Sequence, residues 1–305
     1  MRIPKISSDG KFAATRDREG QTRLAHPLCA NLRTRIGTTM MDRLATVTSI
    51  DGTTIGYQVR GNGPGILVVH GNASSHEDFL PVSELLCEKF TVYLMDRRGR
   101  GLSGPQGADY SLASELEDVE AILSDTHCEF LFGHSFGAIV SIEVARRYPL
   151  EKLALYEPPI QIKPIIDRIL PPFREALHSE DYKKAYMTLV GGLEVMTVDD
   201  KFEWYLDNVI KTDPVAWGRL VQLMKATEKE AIAAANYDVR ANPSPITAEA
   251  LLLLGDQSPA FIQSSAKYLL EVFPNVKLAE LKGQGHTAQA TAPEMLATAL
   301  ASFFS

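Results

Sequence analysis

Two spacings of apolar residues alternate along the chain from residue 45 onward. Residues 45–61, ATVTSIDGTTIGYQVRG, alternate apolar and polar positions about Asp51-Gly52, with Val47 and Ile50 before it and Ile55, Tyr57 and Val59 after it. A two-residue period interrupted by Asp-Gly predicts a β-hairpin. Six short runs are apolar with little interruption: GILVVHG (65–71), FTVYLMD (90–96), EFLFGHS (129–135), KLALYEPP (152–159), ALLLLGDQSP (250–259) and VKLAELKGQGH (276–286). Such runs suit strands buried on both faces. Between them the apolar spacing becomes helical: around Pro81 to Lys89, at 111–124 (Leu112, Leu116, Val119, Ile122, Leu123), through FGAIVSIEVARRYP, at 260–272 and at 293–304. Strands alternating with helices predict an α/β domain with a mostly parallel sheet covered on both faces.

One stretch breaks the alternation. Residues 160–240 contain no strand of this kind and read as several helices, including DYKKAYMTLVGGLEV and DDKFEWYLDNVIKT. A connection that long is expected to be a subdomain. It leaves from the carboxyl end of a parallel strand, above the crevice where open α/β sheets bind ligands. The expected organisation is therefore a core of 45–159 and 241–305, a helical lid at 160–240 and a polar, Arg-rich, poorly ordered extension at 1–44.

Composition narrows the function. A chain of 305 residues with 45% hydrophobic content can bury a sizeable core. The net charge of −7 offers no basic footprint for nucleic acid. Residues 1–40 hold eight Lys or Arg against three acids, so the acidic surplus lies in the rest. Cys29, Cys87 and Cys128 show neither pairing nor metal-ligand spacing, which suits a reducing, cytoplasmic setting. No apolar run is long enough to span a membrane.

The chemistry gathers around Gly133-His134-Ser135-Phe136-Gly137. Gly-x-Ser-x-Gly between a buried strand and a helix is the pattern of a nucleophile elbow. Its glycines permit a sharp turn that lifts Ser135 clear of the sheet. A serine hydroxyl needs a base. Among seven histidines, His286 fits, because Gly283-Gln284-Gly285-His286 follows the last strand and can carry an imidazole over the strand ends. His134 and His70 read as structural. An oxyanion site is also required. The N–H of Phe136 is one candidate donor and that of Asn72, in His70-Gly71-Asn72-Ala73-Ser74-Ser75, is the other, with help from the Asn72 or Ser74 side chain. Gly99-Arg100-Gly101-Leu102-Ser103-Gly104 fits GxGxxG, but Pro105 follows and no helix begins at once, so no dinucleotide site is expected. Asp96, Arg97, Arg98 and Arg100 are read instead as an ion-pair network bracing these turns. No metal or other cofactor is expected.

Taken together, HGNASS, DRRGRGLSGP, GHSFG, YEPP, the helical insertion and GQGH resemble the α/β-hydrolase superfamily over residues 45–305. The resemblance implies an eight-stranded sheet, a lid over the site and cofactor-free catalysis by a serine triad in the order Ser, acid, His. The acid is left open. Most relatives place it in Gly-x-x-Asp after the ALLLL strand; here that motif reads Gly255-Asp256-Gln257-Ser258, with serine where aspartate is expected and Asp256 two residues early. A second placement, as in haloalkane dehalogenases, falls on Glu157, which strand alternation would put on one face with Leu153 and Leu155. Asp238 is a third possibility. Dehalogenases and epoxide hydrolases of the superfamily use an aspartate nucleophile, so Ser135 points to hydrolysis of an ester or lactone through an acyl-enzyme. Acyl transfer or carbon–carbon cleavage by the same residues, or a slow-turnover ligand sensor, are the alternatives. The insertion's aromatic and Met residues, among them Phe173, Tyr186, Phe202, Trp204, Tyr205 and Met224, would suit an apolar small-molecule acyl substrate or simply form the lid's own core.

Overall fold

The protein is described by a computed structural model covering residues 42–305 and the strands β1 (Ala13–Arg16) and β2 (Thr22–Ala25), which pair antiparallel. The rest of the 1–44 extension, with Cys29, lies outside the described residues, so the expectation of poor order falls there as well. The main sheet begins two residues earlier than the hairpin pattern indicated, at β3 (Arg43–Thr48), followed by β4 (Thr54–Arg60), β5 (Gly65–Val69), β6 (Thr91–Met95), β7 (Phe130–His134), β8 (Lys152–Tyr156), β9 (Glu249–Gly255) and β10 (Lys277–Leu281). These eight form one sheet in the order β10-β9-β8-β7-β5-β6-β4-β3. The β3–β4 and β4–β6 pairs are antiparallel and the remaining pairs are parallel. Ile50 does not continue the alternation of β3; it sits in the turn and is 83% exposed.

The uninterrupted apolar runs have the expected cause. In β9, Leu252 and Leu254 pack on one face of the sheet while Leu251 and Leu253 pack on the other. The first face is covered by α2 (Leu112–Thr126), α3 (Phe136–Ala145) and α8 (Ala260–Val272), the second by α1 (Leu80–Leu86) and α10 (Pro293–Phe304). Each fully buried leucine contributes roughly 2 kcal/mol, so loss of alternation here reflects two dry faces rather than one.

Four helices form the insertion between β8 and β9: α4 (Lys163–His178), α5 (Tyr182–Gly192), α6 (Asp200–Thr212) and α7 (Pro214–Asn236). They have a core of their own. Phe173, Tyr186, Phe202, Tyr205 and Met224 are buried within it, whereas Trp204 is 54% exposed. Most of the insertion's aromatic residues therefore hold its helices together, which removes them as an argument for an apolar substrate. Two short elements without a sequence signal complete the chain, a 3₁₀ turn at His76–Phe79 and α9 (Ala288–Thr291). Cys87 and Cys128 are free thiols. Among the described residues no helix is long and apolar enough to cross a membrane.

Candidate active site

β7 ends and α3 begins at Ser135, where φ is 53° and ψ −123°. This is a costly conformation for a residue with a Cβ. A side chain at Gly133 would collide with the Gly137 carbonyl and Ala138, and one at Gly137 with the Val69 carbonyl, so only glycine admits the turn at either place. Ser135 occupies the N-cap position of α3, yet its hydroxyl caps no backbone N–H. The side chain is thus left free of the role that serine normally plays at a helix start. The Ser135 N–H is tied to the Tyr156 carbonyl of β8 at 2.9 Å.

His286 sits in the loop after β10, and that loop is held at three points. Tyr156 donates its hydroxyl to the Gly285 carbonyl and accepts the Ala288 N–H at 3.2 Å. His134 Nε2 lies 3.0 Å from the His286 carbonyl. A carbonyl only accepts, so Nε2 carries the proton; burial holds the His134 ring well below the usual histidine pKa and keeps it neutral. The His134 and His286 rings lie 4.8 Å apart between centroids, which brings the His286 imidazole beside the elbow.

His286 Nδ1 donates to Glu157 Oε2 at 2.7 Å. That assigns a proton to Nδ1, and in the neutral ring it leaves Nε2 as the nitrogen with the lone pair. Glu157 is 1% exposed and is further held by the Gly255 N–H at 2.7 Å and by the Ser258 hydroxyl, both on Oε1. A carboxylate this deep needs such partners. The expectation of simple strand alternation fails at Glu157. β8 stops at Tyr156, and Glu157 has φ 52°, so its side chain leaves the alternation and turns over the strand ends. Asp256 does not meet His286. It is exposed and accepts the Gly283 N–H at 2.7 Å. Asp238 is exposed and caps the Arg240 N–H at 2.9 Å.

Phe136 is the first residue of α3, where a backbone N–H has no partner inside the helix. Neither the Phe136 nor the Asn72 N–H has a partner among the described residues. The side chains expected to assist are occupied elsewhere. Asn72 Oδ1 accepts from Ala73 N–H and from Thr227 Oγ1, its Nδ2 donates to the Thr227 carbonyl, and Ser74 donates to Asp78 at 2.6 Å. His70 shapes this loop, as expected. Its Nδ1 donates to the Gly71 carbonyl and its Nε2 accepts the Arg97 N–H, while burial and then the charges of Arg100 and Arg97 keep it neutral.

No helix follows residues 99–104, and Asp96 instead braces the turn by accepting from Leu102 N–H, His76 N–H and His76 Nδ1. The expected single network of Asp96 with the three arginines is not what forms: Asp96 pairs with His76 and with none of them, Arg97 and Arg100 share Glu230, and Arg98 has separate partners. Arg97 pairs with Glu115 and Glu230, Arg98 with Asp118 and Asp51, and Arg100 with Glu230. Among the described residues no group of three or more His, Cys, Asp or Glu side chains is arranged to hold a metal. Tyr156, Ser258, Thr227 and Glu230 went unread in the sequence; only Ser258 left a signal there, as the serine standing at an expected aspartate.

Comparison with known proteins bears on the fold. Over 104 residues the chain is 34% identical to the uncharacterised hydrolase YraK of Bacillus subtilis (strain 168), a match spanning 33% of this chain and 38% of that protein. Over 95 residues it is 33% identical to the uncharacterised protein Rv2715 of Mycobacterium tuberculosis (strain ATCC 25618 / H37Rv), spanning 30% of this chain and 28% of that one. The chain thus matches well under half the length of either relative. Among solved structures, an alpha/beta hydrolase from Sphaerobacter thermophilus DSM 20745 is 28% identical with a TM-score of 0.71, covering 86% of this chain and 100% of that one. The esterase EaEST from Exiguobacterium antarcticum shares the fold at 19% identity and a TM-score of 0.67, over 85% and 98% of the two chains. Residues 66–299 match the model of one family throughout, and the chain belongs to it: the alpha/beta hydrolase family.

Proposed function

We propose that the protein is a serine hydrolase that cleaves an ester or lactone through an acyl-enzyme on Ser135. The observation that carries this reading is the strained, uncapped Ser135 at the elbow beside a His286 imidazole whose Nδ1 is bound to Glu157. In the proposed cycle, Ser135 Oγ attacks the acyl carbon and passes its proton to His286 Nε2. Glu157 stabilises the imidazolium and fixes its orientation without taking the proton. The developing oxyanion is bound by the N–H groups of Asn72 and Phe136, the latter reinforced by the positive end of α3. His286 then protonates the departing alcohol oxygen, which remains in the same molecule if the substrate is a lactone. Water, deprotonated by His286, cleaves the acyl-enzyme, and the proton returns to Ser135. The insertion α4–α7 serves as the lid. Esterase neighbours such as EaEST support the ester-bond assignment.

A fluorophosphonate probe and a p-nitrophenyl acetate and butyrate assay test the reading together. Wild-type protein should be labelled and should turn over at least one ester, and Ser135→Ala should lose both. A wild-type protein that is labelled but hydrolyses no acyl substrate would point to a ligand sensor instead.

A further inference from the structure

Two independent sets of contacts converge on the peptide bond between Gly71 and Asn72. Its carbonyl side belongs to Gly71, whose oxygen accepts from Arg97 Nη1 at 2.9 Å and from His70 Nδ1 at 2.9 Å. Its amide side is Asn72 N–H, the proposed oxyanion donor. In a planar trans peptide the C=O and N–H point in opposite directions, so fixing one aims the other. A guanidinium donating to the carbonyl also polarises the amide and strengthens the N–H as a donor.

Arg97 is itself held from two directions. Glu115 on α2 takes its Nε and Nη2 at 3.0 and 2.7 Å, and Glu230 on α7 lies 3.0 Å from Nη2. The side chains of all three residues are fully buried. The Arg97 guanidinium lies 4.7 Å from the ring centroid of Phe136, the residue carrying the second proposed donor. On the other side, the Thr227 hydroxyl of α7 lies 2.9 Å from Asn72 Oδ1 and 2.9 Å from the Leu223 carbonyl of its own helix, so its one proton is shared between them, while Asn72 Nδ2 donates to the Thr227 carbonyl at 3.3 Å. Thr227 and Glu230 are three residues apart and so share one face of α7. That face therefore reaches the Asn72 side chain directly and the Gly71 carbonyl through Arg97.

We infer that α7 is a positioning element for the oxyanion site, acting through Thr227 on Asn72 and through Glu230 and Arg97 on the Gly71 carbonyl. The inference rests on the oxyanion role proposed above for the Asn72 N–H. Insertion and catalytic loop then work as one frame, and loosening the α7 contacts weakens transition-state binding while leaving substrate binding intact.

The test uses Thr227→Val, Asn72→Ala and the double variant. Each is assayed for kcat and KM on p-nitrophenyl butyrate, for the Ki of an aliphatic trifluoromethyl ketone (whose adduct on Ser135 presents an oxyanion) and for Tm. Each single variant should lower kcat about 10-fold and weaken the ketone by a similar factor, with KM within about twofold; loss of a whole oxyanion donor costs roughly 10²–10³. The double variant should be no worse than about 10-fold, because both changes cut the same link. Thr227→Ser, which keeps the hydroxyl, should stay near wild type. Singles within twofold of wild type, or a roughly 100-fold additive loss in the double, would overturn the inference while leaving the hydrolase reading standing. If Thr227→Val does not fold, Thr227→Ala takes its place under the same criteria, since Asn72→Ala also removes the Ala73 N–H contact. A wild-type protein inert to both the ester and the ketone overturns the hydrolase reading and this inference with it.

Discussion

Ser258 donates its hydroxyl to Glu157 Oε1, and His286 Nδ1 donates to the other oxygen of the same carboxylate at 2.7 Å. Position 258, where the family resemblance calls for an acid, thus supports an acid supplied from the end of a neighbouring strand.

The first prediction separates the two carboxylates. Glu157→Gln should lower kcat by about 10³–10⁴, the scale of loss when an orienting acid becomes an amide. Asp256→Asn should remain within about threefold, since that side chain accepts from the Gly283 N–H and from Gln257 Nε2 and does not reach His286. Steady-state kinetics on one p-nitrophenyl ester decides it, and near-normal activity in Glu157→Gln would move the acid elsewhere.

Removing the hydroxyl that braces Glu157 should have a smaller effect. In Ser258→Ala the carboxylate keeps the Gly255 N–H and His286 but loses one donor. A hydrogen bond to a charged group contributes roughly 1.5–3 kcal/mol, and about a 10-fold fall in kcat with little change in KM is expected. A variant with fully normal kcat would show that Glu157 needs no brace from position 258.

The loop carrying His286 offers a third test. Tyr156→Phe leaves the Gly285 carbonyl and the Ala288 N–H without their shared partner. An unsatisfied buried group costs roughly 1–3 kcal/mol, so Tm should drop by several degrees, and kcat should fall with it as His286 loses its fixed approach. Thermal melting and kinetics together check this; a stable, fully active variant would remove Tyr156 from the support of the loop.

Asp78 makes stability depend on pH. Burial pushes its carboxyl up from 3.8 to about 6, against the opposing hydrogen bonds from Ser74 and Ser75. The folded state therefore retains a proton that the unfolded state has released between about pH 4 and 6. Because the native state binds more protons there, stability falls as pH rises through that window and levels off above it. Asp78→Asn keeps an oxygen for the Ser74 hydroxyl and removes this slope. Its Tm should gain a few degrees on wild type between pH 4.5 and pH 7.5, and parallel Tm–pH curves for the two proteins would refute the assignment.

Much of the fold could be read from apolar spacing because the central strands are dry on both faces, which turns them into unbroken runs such as ALLLL. Ser135 and His286 stood out as candidates for a local reason: each lies near glycines that a sharp turn or a carrying loop requires. Glu157 against Asp256 could not be resolved the same way. Both close a strand, and what separates them is the left-handed backbone at Glu157, which no glycine announces. The face shared with Leu153 and Leu155 was the wrong argument for a residue that the structure nevertheless pairs with His286. The insertion misled in another way, since aromatic residues that build a helical core look in sequence just like those that line a pocket. Thr227 and Glu230 were beyond reach because their partners lie far away in the chain; Thr227 meets Asn72 across 155 positions.

Glu157 is followed at once by Pro158-Pro159 and then by the insertion. The root of the helical insertion and the carboxylate bound to His286 are therefore adjoining parts of a single bend. In a hydrolase whose acid follows β9, a foreign cap could be spliced in after β8 with the imidazole undisturbed. In this chain a graft joint upstream of Pro158 would unseat the partner of His286, so exchange of the insertion has to begin beyond the two prolines.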